Sequence, residues 1–208
     1  MMKRFSFSLL FISALLLLAS QCMAREQLPA TARVSAFYAA LIETMKQGPE
    51  LGFMGRYEKL KPVITKTFNL QLMTRYAASP AWRKASAKDQ KKLLRAFTAF
   101  STATYASRFT KFDGEDFKIL GEKEVPSGGI MVETHLTPKD EEPVSLNYLV
   151  RKNKKGEYRI VDVYLDATIS ELATRRADFS AVIKRDGFNK LIVSLDDKAK
   201  KMGLVAIQ

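Results

Sequence analysis

The feature that most restricts the fold is a change of period in the middle of the chain. Up to Asp113-Gly114 apolar residues recur at helical spacing, and beyond it they recur in short runs at about 116 to 124, 129 to 137, 143 to 152 and 157 to 166. The runs are separated by turn chemistry, at Pro126 to Gly129, Pro138 to Pro143 and Asn153 to Gly156. Four consecutive strands joined by links this short predict an antiparallel meander, since parallel neighbours need long crossovers. The fourth run is apolar on both sides, with Val161, Val163 and Leu165 alternating against Tyr158, Ile160 and Tyr164. It therefore belongs inside the sheet.

Helices flank this block. Val34, Phe37, Tyr38, Leu41, Ile42 and Met45 form an amphipathic stripe that Gly48-Pro49 stops. A turn is expected over 48 to 55, followed by two short helices kinked around Pro62 and Asn69. Ser86 with Asp89 resembles a capping box and opens a long helix to about Phe112, with Leu93, Phe97, Phe100, Tyr105 and Phe109 on its apolar face. Helical spacing returns from Ser170 to Gly187, and a last helix carries Phe188, Leu191, Ile192 and Leu195. Helices, sheet, helices is the order of an α+β domain: a four-stranded, curved antiparallel sheet packed against several helices. No repeat, low-complexity tract or linker divides it.

The N-terminus reads as an export signal. Lys3 and Arg4 precede an apolar run from Phe5 to Ser20, and Cys22-Met23-Ala24 supplies small residues for cleavage after Ala24. The expected organisation is a signal at 1 to 24 and one domain at 25 to 208, located in the periplasm. Gln21 before Cys22 disfavours a lipid-attachment site. Cleavage removes the single cysteine, so no internal disulfide can form and the core alone must hold the domain together.

Of 34 basic side chains, Lys3 and Arg4 leave with the signal, and 32 then face 22 acidic ones. This excess favours anionic partners, and for an exported chain those are membrane headgroups or acidic protein faces rather than nucleic acid. A transient contact with an anionic membrane is expected.

Catalytic motifs are scarce. His135 is the only histidine, without a clustered set of cysteines or carboxylates, and there is no nucleophile elbow, phosphate loop or zinc helix. Asp162 interrupts the apolar fourth strand and needs a partner. It reads either as a general base in an apolar cavity, in the manner of a small-molecule isomerase or hydratase, or as half of an ion pair with Arg175 or Arg176. The aromatic stripes fit a filled core or the wall of a hollow one, and periodicity does not separate the two.

The segment Trp82-Arg83-Lys84-Ala85-Ser86, then Asp89-Gln90, Phe97, Phe100 and Tyr105, followed by Val161-Asp162-Val163 and Arg176-x-x-Phe179, resembles the MlaC or toluene-tolerance auxiliary proteins. The stretch from Ile160 to Phe179 is most similar to the branch associated with hopanoid biosynthesis. The resemblance spans roughly residues 33 to 200. It departs at Ala167, where a glycine commonly follows the acidic residue at the end of the last strand.

The resemblance implies a periplasmic carrier without catalytic activity or cofactor. Such a carrier encloses phospholipid or hopanoid tails in an apolar cavity and exchanges them with a membrane-bound lipid ABC transport complex, here as a monomer. The candidate lining residues, chosen because they lie on apolar faces of the long helix and the sheet or at its exit, are Phe97, Phe100, Tyr105, Tyr148, Val163, Leu165 and Ile169. A non-catalytic adaptor of a transporter is the other binding-protein reading.

Overall fold

The computed structural model describes residues 30–205, and the expected export signal lies outside them. Helix α1 spans Ala30–Lys46 and buries Val34, Phe37, Tyr38, Leu41 and Met45, the stripe its spacing predicts. Where a turn is expected, helix α2 already begins, running Gly48–Thr67. Its one non-helical residue is Gly52, at φ 58 and ψ −173, a conformation open to glycine but not to a side chain, and Pro62 sits within the helix. Gly48 is required for a different reason: a Cβ there would lie 1.9 Å from the Thr110 carbonyl oxygen. Buried Arg56 closes this corner by donating to the carbonyls of Gly48 and Ala106.

Asn69 caps α3, Leu70–Ala77, by accepting the Leu72 amide. The short α4, Ala81–Lys84, leads to α5, Ala87–Arg108. Ser86 accepts the Asp89 amide at 3.1 Å, as a capping residue should. The Asp89 carboxylate accepts from the Ser86 hydroxyl at 2.7 Å instead of reaching back to the Ser86 amide, the reach that the longer Glu gives a capping box. Helix α5 ends earlier than its apolar stripe suggests, with Phe109 as C-cap.

Strands β1 (Asp116–Glu124), β2 (Ile130–Thr137), β3 (Val144–Lys152) and β4 (Tyr158–Leu165) follow within a residue of the expected bounds. A fifth strand, β5 (Ile169–Ser170), was not expected and corrects the strand count to five. The sheet is an antiparallel meander in the order β1-β2-β3-β4-β5, so β4 is internal. Helices α6, Glu171–Asp186, and α7, Phe188–Val205, complete the domain.

Strict alternation along β4 does not hold. Leu149 pairs with Asp162 and Val150 with Ile160, which leaves Val161 as the extra residue of a bulge. Ile160, Val163 and Leu165 therefore share one face with Leu146, Tyr148 and Val150, while Asp162 and Tyr164 share the other with Leu149 and Asn147. The first face meets the helices and carries most of the core, where Phe37 contacts Phe68, Tyr105 and Tyr148 edge-on at ring separations of 5.3, 5.4 and 6.2 Å.

Candidate functional site

Between the helices and the core face of the sheet lies a cavity of about 90 Å³. Its apolar wall is assembled from four directions. Ile64 and Phe68 come from the end of α2, Leu70 and Met73 from α3, Phe97 and Tyr105 from α5, and Leu146, Val163 and Leu165 from the adjacent strands β3 and β4. Tyr105 is the hinge of the aromatic wall, 5.7 Å from the Phe68 ring and stacked on Phe109 at 5.8 Å. Burial pushes the Tyr105 hydroxyl well above the ordinary phenol range, so it stays neutral.

One side of the cavity is polar, formed by Ser101, Thr104 and Arg108 of α5 with Glu171 and Arg175 of α6. Arg175 is engaged on two sides: it pairs with Glu171 at 3.5 Å and its guanidinium lies 4.8 Å from the Phe100 ring centre. Burial lowers its pKa and the neighbouring Glu171 opposes that shift. The arrangement is amphipathic, with an apolar wall and the charged groups Arg108, Glu171 and Arg175 gathered on one side. It can shield a hydrocarbon chain and keep a polar end outside, at about 0.8 kcal/mol per buried methylene.

Of the residues singled out from sequence, Phe97, Tyr105, Val163 and Leu165 line this cavity. Three do not. Phe100 is buried outside the wall, beneath Arg175. Tyr148 is completely buried behind the wall, against Phe37 and Tyr38. Ile169 is 53% exposed on β5, although it pairs with Leu165 and so continues the same sheet face to the edge. Phe68, Leu70 and Leu146 were missed. Phe68 and Leu70 lie at a helix junction held to β4 by a long-range bond from the Asn69 amide to the Ile160 carbonyl, which no local pattern announces.

Asp162 faces away from the cavity and is 6% exposed. Its Oδ1 accepts the amides of Val163 at 2.8 Å and Leu172 at 3.0 Å, and its Oδ2 accepts the Ser170 hydroxyl at 2.6 Å. Neither expected role fits: it lies outside the cavity lining and has no arginine partner among the described residues. Arg176 instead packs on Tyr76, 5.1 Å from the ring centre. His135 sits half-buried on β2 opposite Lys118 and Ser145, and among the described residues no group of His, Cys, Asp and Glu is arranged to hold a metal.

A family model described as "MlaC protein" matches residues 36–197. Among solved structures, the fold is similar to that of a phospholipid-binding protein from Ralstonia solanacearum determined in complex with a phospholipid. The TM-score is 0.72 at 21% identity, over 83% of this chain and 98% of that one. No match emerged from comparison with curated protein sequences.

Proposed function

The chain belongs to the MlaC family, and from that premise we propose that it is a lipid carrier, enclosing acyl tails in the cavity between Phe97, Tyr105 and Leu165. The observation that carries this reading is the coincidence of an apolar cavity with charge gathered on one side of it, in a fold shared with a phospholipid-binding protein. Burial of tails supplies the affinity and no bond is broken. Asp162, the one candidate general base, is spent on holding α6 to the sheet.

At about 90 Å³ the cavity is smaller than the roughly 300 to 1,000 Å³ of a typical ligand site, so its walls must part to admit a tail. The break between α2 and α3 supplies a place for that. Phe68 and Leu70 flank Asn69 there, and because the Asn69 amide is held by the Ile160 carbonyl, it is their side chains and not the backbone that move.

We carry the remainder of the role over from the family resemblance as part of the same proposal. The carrier works in the periplasm as a monomer, after removal of the signal, and exchanges cargo with a membrane-bound ABC transport complex. No described helix is long and apolar enough to cross a membrane. Organic extraction of the purified protein followed by mass spectrometry tests the carrier reading. Co-purified phospholipid or hopanoid, the latter marking the hopanoid-associated branch, is the expected result. A protein that carries neither, and takes up none from vesicles, favours the adaptor reading.

A further inference from the structure

Phe68 and Leu70 line a second space on their other side, an open groove of about 770 Å³. Its walls hold Arg75, Lys152, Lys154, Lys155 and Arg159, and none of its lining residues is acidic. The lysines come from the β3–β4 turn, which Asn153 fixes by accepting the amides of Lys155 at 2.8 Å and Glu157 at 3.0 Å. Arg159 is committed, donating to the carbonyls of Thr65 and Lys66 and to Glu157. Arg75, Lys152, Lys154 and Lys155 are exposed and form no ion pair among the described residues.

We propose that this groove binds the anionic phosphate headgroup of the carried lipid, whose tails reach the cavity past the side chains of Phe68 and Leu70. The inference rests on the carrier reading and adds to it the headgroup site and the route. Arg75, Lys152, Lys154 and Lys155 line a groove that shares Phe68 and Leu70 with the apolar cavity, Lys152 lying 5.2 Å over the Tyr158 ring, and this places phosphate and hydrocarbon sites within one molecule's span. The cavity's own rim is a poorer phosphate site. Arg175 there is neutralised by Glu171, which leaves Arg108 as its only uncommitted cation. Charge therefore points to the groove.

The test uses the purified protein incubated with vesicles of phosphatidylcholine alone or mixed with phosphatidylglycerol. After separation from the vesicles, bound lipid is identified by mass spectrometry. The wild type should carry phosphatidylglycerol in excess of its share in the vesicles, and added inorganic phosphate should reduce that excess. The variant Lys152→Gln/Lys154→Gln/Lys155→Gln should lose the excess by at least about fivefold, the equivalent of one cation near an anionic group. Its total bound lipid should persist, because the cavity is intact. Arg108→Gln alters the cavity wall itself and so can change the total load, but the phosphatidylglycerol excess in the lipid it does bind should remain.

Three results would overturn the proposal. The triple variant could keep the excess, or Arg108→Gln could remove it. The triple variant could instead sediment less with vesicles while its bound lipid is unchanged in composition, which would make the cations a bilayer contact and not a headgroup site. Absence of bound lipid in every protein, wild type included, is a different result, since it removes the carrier reading on which the proposal stands.

Discussion

The carboxylate of Asp162 accepts the Leu172 amide at 3.0 Å and thereby joins the middle of β4 to the first turn of α6. With the Val163 amide and the Ser170 hydroxyl also bonded to it, the carboxylate is fully used in structure. Ser170 in turn accepts the Ala173 amide as N-cap of the same helix. Asp162→Ala leaves two buried amides without partners and should cost about 2 to 3 kcal/mol, whereas Asp162→Asn keeps one acceptor and should cost about 1. Urea unfolding measures both. Equal stability of all three proteins would show that the bonds are not needed, and lipid bound per folded protein should be the same in each.

The departure at Ala167 has a structural meaning. Asp166 and Ala167 have φ of 47 and 58, and the Thr168 amide donates to the Leu165 carbonyl at 3.1 Å, the geometry of a tight turn with both central residues left-handed. Such turns favour Asp-Gly. Ala167→Gly should relieve the left-handed alanine and stabilise the protein by about 0.5 to 1 kcal/mol after the added flexibility of the unfolded chain is subtracted. A lower melting temperature for this variant would contradict the assignment.

Acid stability depends on the corner that carries the basic groove. Hydrogen bonding from Arg159, and then from Asn153, lowers the Glu157 pKa from 4.5 to about 2. Because the folded value lies below the unfolded one, the contribution is complete above about pH 4.5 and is lost as pH falls towards 2. The difference in urea midpoint between wild type and Glu157→Gln should thus shrink across that window and stay constant above it. A difference that is the same at pH 2 and pH 6 would contradict this.

The sequence revealed the sheet well because its turns are chemically explicit. Pro126 to Gly129 and Asn153 to Gly156 bracket runs whose alternation matches a half-covered sheet. Strand β5 escaped because two residues show no period, and the start of α2 escaped because Gly48, Gly52 and Gly55 imitate a turn. The bulge at Val161 was also hidden, since an inserted residue moves side chains between faces without altering composition. The bulge turns Ile160 to the side of Val163 and Leu165 and leaves Asp162 on the other with Tyr164. Of the cavity wall, Phe97, Tyr105, Val163 and Leu165 were legible from the stripes of α5 and β4. Phe68 and Leu70 were not, because their place depends on a contact with Ile160 more than 90 residues away.

The central claim is that the space beside Leu165 holds lipid tails, and Leu165 and Ile169 test it as a pair. They face each other across β4 and β5, one lining the cavity and the other exposed beyond it. The measurement is the molar ratio of extractable lipid to folded protein in Leu165→Glu and Ile169→Glu, with folding verified by circular dichroism. Half-exposed Leu165 lets a glutamate reach water, so both variants should fold. Leu165→Glu should lose more than about tenfold of its lipid, because a carboxylate against acyl tails costs several kcal/mol, and Ile169→Glu should keep its load. Full lipid load in a folded Leu165→Glu variant, or equal loss in both, would contradict the claim.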